Sequence, residues 1–220
     1  MINAENVLIC IAVPLTIILL FTKGDSRRLI VSFITGMVVC VLSAYIAGFF
    51  QMASGFSSEE TSIFLSPIIE ECMKLLSILF CIYVFEPSDE EIQLFSVGIA
   101  AGFVTFENCC SFISSGATEL VFVFVRGIVV GVMHVVTMVA VAKGLLLLKK
   151  YKVFSFAGVI GVLSISSTVH GLYNLLVSEP GISSYIAYAM PMVAVLVLFM
   201  VNCRQKGCRE PALWKRYSSK

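Results

Sequence analysis

Charged residues are scarce in this sequence. Only 13% of the 220 residues are Asp, Glu, Lys or Arg, whereas a soluble domain carries roughly 25%. Hydrophobic residues make up 59% of the chain, and the mean hydropathy is +0.98. The polar segments between hydrophobic runs are all short, which leaves no room for a separate soluble domain. We therefore predict an all-α, polytopic membrane protein whose surroundings are the lipid bilayer, with no nucleic-acid partner.

Long hydrophobic runs dominate the chain, and about 20 apolar residues allow one helix to cross a bilayer. Seven runs qualify as spans: 7–22, 29–50, 63–85, 92–113, 120–148, 153–177 and 185–201. The first run has no basic segment before it and no small-residue cleavage site after it, so we expect a retained span, not a signal peptide. The predicted organisation is two helices without a motif (1–62), a four-helix core (63–177) and a last helix with a basic tail (178–220).

Basic residues are absent from every second loop. The loops at 51–61, 114–119 and 178–184 contain none. The loop bases fall in the first loop, the fifth loop and the tail: Lys23, Arg27 and Arg28; Lys149, Lys150 and Lys152; and Arg204, Lys206, Arg209, Lys215, Arg216 and Lys220. By the positive-inside rule, this pattern predicts that the N-terminus lies outside and the C-terminus in the cytoplasm.

Small residues give further predictions about packing. Six of the eight cysteines lie in hydrophobic runs, where cysteine acts as a small apolar residue, so we predict no disulfide framework. Cys203 and Cys208 in the basic tail could bind metal or carry a lipid. Two glycine pairs with a spacing of four, Gly98-x-x-x-Gly102 and the pair at 127 and 131, allow close contacts between membrane helices, with incidental glycine as the equal alternative.

The third hydrophobic run contains three charged residues, Glu70, Glu71 and Lys74. Burying such groups in hydrocarbon costs several kcal/mol or more, so they are functional candidates by default. Their spacings of three and four residues place all three on one face of a helix. An internal ion pair that only fixes helix packing is the simpler alternative. Pro67, one turn earlier, removes a backbone hydrogen bond and is expected to kink the helix and admit water.

The next three spans carry the other buried polar side chains. They are Glu107 and Asn108 on the fourth span, Arg126, His134 and Thr137 on the fifth, and Thr168, His170 and Asn174 on the sixth. Glu70, Glu107 and His170 lie seven, six and seven residues from the outer ends of their spans, which is roughly 10 Å at the rise of a helix. His134 joins this layer if Arg126 marks the outer interface and residues 120–125 form an interfacial segment. The sequence therefore predicts one polar layer near the outer face.

These residue types suit hydrolysis of an amide bond by either of two routes. Glutamate and histidine can ligate Zn²⁺ with an open position for water, and His134, His170 and Glu107 form the metal set that we expect. Asn174 and Thr137 would then orient His170 and His134. Without metal, a buried glutamate can act as general base on water while histidine or asparagine stabilises the oxyanion. The residues alone leave both routes open, and they leave open whether Glu70 or Glu71 activates the water.

Four motifs in order resemble a known family. They are Glu70-Glu71-Cys72-Met73-Lys74, the segment Gly102–Asn108 with the sequence GFVTFEN, Arg126 placed eight residues before His134, and His170-Gly171-Leu172-Tyr173-Asn174. Together they are similar to the PrsW-type intramembrane proteases, relatives of the CAAX protease and bacteriocin-immunity superfamily. The likeness covers about half of the chain and makes 63–177 the expected catalytic core.

The resemblance implies roles for named residues. Glu70, Glu71, Glu107, His134 and His170 would line the active site, with support from Lys74, Asn108, Arg126 and Asn174. The family is described both as metalloproteases and as glutamate proteases. Its known activity is site-1 cleavage of a membrane-bound anti-sigma factor in the bacterial plasma membrane, a regulated proteolysis that starts a stress response.

Two functions of different classes follow as hypotheses. The first is an intramembrane endopeptidase that cuts a membrane-bound protein near the outer face. The second is a non-enzymatic membrane protein, either a proton-coupled transporter or a bacteriocin-immunity factor, because transporters also bury Glu, Lys and His. Transporters usually show paired halves with broken helices, and this sequence has no evident internal repeat.

Overall fold

The computed structural model describes residues 4–116, 119–151, 156–179 and 181–206, with side chains described only as far as residue 200. Every regular element within these ranges is helical. The helices are α1 (Ala4–Ile18), α2 (Gly24–Ser54), α3 (Ser58–Glu60), α4 (Ser66–Phe85), α5 (Asp89–Ser115), α6 (Leu120–Lys150), α7 (Phe156–Ser178) and α8 (Ile182–Lys206). A π-helical segment, Thr61–Leu65, joins α3 to α4.

Five helices are long and apolar enough to cross a membrane: α2, α5, α6, α7 and the first part of α8, Ile182–Met200. Helix α1 has only 15 residues, and α4 contains the three charged side chains. The all-helical, multi-pass membrane architecture is therefore confirmed, whereas the count of seven spans and the orientation stay predictions. The residues expected as an interfacial segment, 120–125, are the first turns of α6.

Local sequence explains where the long helices begin and end. Ser88 precedes α5 and forms a capping box, in which its hydroxyl accepts a hydrogen bond from the Glu91 backbone at 3.3 Å and its own backbone N–H donates to the Glu91 carboxylate at 2.8 Å. Helices α2 and α5 both end at a glycine in the left-handed region, Gly55 with φ 73° and Gly116 with φ 63°. Glycine has no Cβ to oppose that conformation, so each helix stops there.

Helices α2 and α5 approach each other most closely at glycine. A Cβ at Gly36 of α2 would overlap the carbonyl oxygen of Ile99, and a Cβ at Gly102 of α5 would overlap the backbone of α2. A Cβ at Gly98 would overlap the hydroxyl of Ser32. The close contact predicted for Gly98 and Gly102 is therefore present, because only a bare backbone fits between these two helices.

The same prediction is wrong for Gly127 and Gly131 of α6. A Cβ at either position would meet no atom within 4 Å in the described part of the chain. Spacing alone does not report which face of a helix meets a neighbour, and the faces of α6 that carry these glycines are open.

We expect Gly36→Ala to destabilise the protein by at least about 2 kcal/mol, because the added methyl group forces two tightly packed helices apart. Gly131→Ala is the matched control, because its methyl group would enter open space. Thermal unfolding of both purified variants in detergent measures the difference. Equal stability of the two would contradict the α2–α5 packing.

Apolar packing fills one half of the bundle. Leu75 and Ile78 of α4 meet Ile99 of α5 and Met138 and Leu145 of α6, all at most 4% exposed. These residues belong to the middle and C-terminal half of α4, the C-terminal half of α6 and the N-terminal half of α5. The polar side chains predicted for the site lie in the opposite halves of the same helices, so the core and the site are stacked along the bundle.

Pro67 shapes the start of α4. It has no N–H, so the carbonyl of Ile63, four residues earlier, has no α-helical donor. The backbone before it is π-helical, and the N–H of Ser66 reaches five residues back to Thr61. The neighbouring carbonyl, on Ser62, accepts a hydrogen bond of 2.9 Å from the Asn174 side chain of α7. The irregular backbone that Pro67 imposes therefore ties α7 to the start of α4.

Candidate active site

Glu71 is fully buried and surrounded by partners. Its Oε1 lies 2.5 Å from Nζ of Lys74 and 2.9 Å from Nδ1 of His170. Its Oε2 accepts a hydrogen bond from the hydroxyl of Ser166. The ion pair that the spacing of three residues favours is thus present. With both oxygens engaged and neither exposed, Glu71 is placed to hold its neighbours rather than to meet a substrate.

Lys74 links Glu71 to the first histidine. Its side chain is 0% exposed, its Nζ lies 3.0 Å from Nδ1 of His134, and it stands 4.9 Å from the centre of the Phe103 ring. Because the Lys74 ammonium can only donate, Nδ1 of His134 accepts from it and Nε2 carries the ring proton. Binding of a metal at Nε2 would release that proton. Lys74 therefore fixes the orientation of that imidazole ring.

His170 is oriented by Glu71. Its Nδ1 faces the Glu71 carboxylate, and its Nε2 lies 3.8 Å from Oε2 of Glu70. A carboxylate that is hydrogen-bonded to one ring nitrogen fixes the orientation of the ring, so that the other nitrogen faces the reacting groups. The two imidazole rings meet edge to face, with centroids 4.9 Å apart.

Two orienting contacts expected from the sequence are wrong. Asn174, one turn from His170, donates to the Ser62 carbonyl instead. Thr137 donates to the backbone carbonyl of His134 at 3.1 Å and does not orient its ring. Both are short polar side chains on helices that find backbone acceptors close by, as such side chains often do.

Glu107 and Arg126 form a second ion pair. The Arg126 guanidinium donates to Oε1 of Glu107 at 3.4 Å. The other carboxylate oxygen lies 2.8 Å from Nε2 of His134, but the two groups are not aligned as a hydrogen bond. Arg126 therefore supports Glu107, and Glu107 faces the free nitrogen of His134.

A cavity of about 230 Å³ opens between α4, α5, α6 and α7. Of the residues singled out from the sequence, it is lined by Glu70, Glu107, Arg126, His134, His170 and Asn174. Glu71, Lys74 and Asn108 are not among its lining residues. Asn108 is 8% exposed, and its Oδ1 has no partner in the described part of the chain. Four helices thus bring most of the predicted set to one cavity.

Ser166 was missed by the sequence reasoning. It is 5% exposed and holds the second oxygen of Glu71. A signal was available, because Ser166 stands four residues before His170 and therefore lies on the same face of α7. Serine is common in membrane helices, so only the position of that face relative to α4 reveals its role.

The residues present fit a metal ion. Glu70, His134 and His170 each offer one ligand atom, and these atoms all lie within 4.8 Å of one another. Oε2 of Glu70 is buried and has no hydrogen-bond partner among the described residues. One carboxylate with two imidazoles is a common donor set for a catalytic divalent ion. This set contains Glu70 where the sequence reasoning named Glu107.

Comparisons with known proteins agree with the chemistry of these donors. No curated protein and no solved structure matches the chain. Residues 25–201 match the protein family described as PrsW family intramembrane metalloprotease. The match extends beyond the four motifs and takes in α2 and most of α8. The chain belongs to the PrsW family of intramembrane metalloproteases.

Proposed function

We propose that this protease cuts a peptide bond of a membrane-bound protein at the cavity formed by Glu70, His134 and His170. The observation that carries the proposal is the buried Oε2 of Glu70, which has no hydrogen-bond partner within the described residues and lies 3.8 Å from Nε2 of His170. An unpaired carboxylate oxygen is costly inside a membrane protein unless a ligand meets it. The catalytic core then comprises 63–177, with 1–62 and 178–220 flanking it.

Without a bound ion, Glu70 would accept a proton from the attacking water and pass it to the leaving nitrogen. As a ligand of the ion it could not do so, and Glu107, whose Oε2 also has no hydrogen-bond partner among the described residues, would take that proton instead. Glu71 does not take part in the proton transfer, because Lys74, Ser166 and His170 already engage both of its oxygens. It holds His170 so that Nε2 faces Glu70. We therefore assign Glu70, and not Glu71, to the reacting centre.

Glu70, His134 and His170 are the residues that would hold a metal, with Zn²⁺ as our proposed ion. When bound, the ion supplies a nucleophilic water and polarises the scissile carbonyl. Arg126 keeps Glu107 beside His134. This arrangement restrains the imidazole from the cavity side, while Lys74 restrains it from the core side.

A single-span protein is the substrate class that we propose, with an anti-sigma factor of the bacterial plasma membrane as the specific candidate. The support for this candidate is the resemblance of the four motifs to PrsW proteins. The polar layer lies close to one end of the bundle, near the first residues of α4 and the last turns of α7. If that end is the outer one, the cut falls near the outer face, as site-1 cleavage requires.

Comparison of membrane proteins from cells that produce the wild type or the Glu70→Gln variant tests this function. We expect at least one single-span protein to lose its outer segment only where the wild type is present. Purified wild-type protein in vesicles should then release the same fragment in a single turnover. Identical sets of fragments from both cells would contradict the proposal.

Reporter fusions test the orientation on which the outer-face claim depends. Fusions after Lys152 and after Lys220 should report the cytoplasm, because basic loops are retained inside. Fusions near Ser58 and Gly181 should report the outside. A cytoplasmic signal at Ser58 would invert the bundle and place the polar layer near the inner face.

A further inference from the structure

A second cavity lies beside the catalytic one and opens on the apolar surface of the bundle. We call it the α4–α7 groove; it has a volume of about 530 Å³ and is bounded by the π-helical segment, the first turns of α4 and one face of α7. Phe64 and Ile68 line one wall and Leu172 the other, and these three side chains are 57%, 54% and 46% exposed. The groove therefore faces the hydrocarbon that surrounds a membrane protein.

The floor of the groove is made of small side chains. Ser164, Ser167, Thr168 and Gly171 line it at the spacings of three and four residues that define one face of α7. Small residues on a membrane helix let a second helix approach closely, and their hydroxyls can donate hydrogen bonds across the contact. The described chain places no helix on this face.

Two polar groups in the groove lack the partners that the fold would normally give them. The hydroxyl oxygen of Ser167 is buried and has no hydrogen-bond partner in the described part of the chain. The carbonyl of Ile63 loses its α-helical donor because Pro67 has no N–H, and a Cβ at Gly171 would lie 3.4 Å from that oxygen. The unpartnered hydroxyl points to an occupant that carries hydrogen-bonding atoms, which lipid tails do not.

The groove lies next to the catalytic cavity. Neighbouring residues alternate between the two, since Ile63 and Gly171 line the groove while Ser62 and His170 line the cavity. A chain lying in the groove therefore has a short path to Glu70.

We propose that the α4–α7 groove binds the transmembrane helix of the protein that the catalytic cavity cuts; the proposal rests on the proposed function. The substrate helix packs on the small residues of α7. Where it unwinds, one of its backbone N–H groups donates to the Ile63 carbonyl, and the released strand enters the cavity. A second copy of this chain in the groove would instead cover the path to the cavity.

Site-specific photocrosslinking tests the occupant. A benzophenone amino acid replaces Phe64 or Leu172 in the Glu70→Gln variant, and the same probe at Phe199, an α8 residue that is 63% exposed, serves as control. We expect the first two probes to capture a single-span protein, identified by mass spectrometry, with the crosslink inside its membrane segment. Capture of a second copy, capture equal to that at Phe199, or no protein capture would overturn the proposal.

A groove-filling variant gives an independent measurement. Ser164→Phe should raise KM for the captured protein by about tenfold or more and leave kcat unchanged, because the ring occupies the groove away from Glu70. Ile165→Phe is the matched control and should behave as the wild type, because Ile165 of the same helix is 69% exposed and does not line the groove. An unchanged KM in a folded Ser164→Phe protein contradicts the docking surface. If the wild type leaves the captured protein intact, the docking surface is supported and the proposed proteolysis is contradicted.

Discussion

Glu70→Gln should lower the single-turnover rate of cleavage by at least about 100-fold, the scale of general-base catalysis, while the protein level and the unfolding temperature stay near those of the wild type. Glutamine keeps the shape of the side chain but can neither take the proton nor ligate a metal as a carboxylate does. Its loss of charge costs little stability, because Oε2 of Glu70 makes no hydrogen bond within the described chain.

Glu71→Gln is the variant matched to Glu70→Gln, because it replaces a carboxylate by an amide at the neighbouring residue. It should lower the protein level as well as the rate, because it leaves the buried ammonium of Lys74 without its counter-ion. The two glutamates are thus distinguished by stability rather than by activity alone. Wild-type cleavage by purified Glu70→Gln protein would remove Glu70 from the mechanism.

Lys74→Met should destabilise the protein by about 3–5 kcal/mol, because it leaves the Glu71 carboxylate buried without a partner charge. The double variant Lys74→Met with Glu71→Gln should recover most of that stability, since no charge is then left unpaired. It should not recover cleavage, because His134 and His170 both lose the group that orients them.

Thermal unfolding in detergent and a single-turnover assay on the same samples separate these two effects. Lys149→Ala is the control: this exposed lysine pairs with Asp89 at 3.3 Å, and its loss should change neither quantity measurably. Complete loss of activity in a Lys74→Met protein of wild-type stability would instead place Lys74 among the groups that perform the chemistry.

The helices and the polar layer could be predicted from the sequence because both depend only on where apolar and polar residues lie along the chain. Hydrophobic runs define the spans, and Glu70, Glu107 and His170 lie at similar distances from the ends of theirs. His134 does so only if 120–125 are set apart from the span, and in the structure these residues are the first turns of α6. These four side chains line one cavity in the structure. Depth within the predicted spans therefore grouped three of these side chains, and the shared cavity adds His134.

Contacts between helices could not be predicted from the same information. Successive residues on a helix point about 100° apart, so Glu70 can face the cavity while Glu71 faces Lys74 and Ser166. Which of the two does so depends on how α4 is rotated against α7, and periodicity does not report that rotation. The same limit explains why Gly98 and Gly102 meet α2 while Gly127 and Gly131 meet no neighbour within 4 Å in the described ranges.

Metal content and cleavage measured on the same purified protein test the central claim most directly. We predict about one divalent ion per chain in the wild type, as expected for one carboxylate and two imidazoles at a single site, and its loss in His134→Ala and His170→Ala. A chelator should abolish cleavage, and added Zn²⁺ should restore it. Wild-type cleavage by protein that elemental analysis shows to be free of metal would contradict the account and leave Glu70 acting as a general base without an ion.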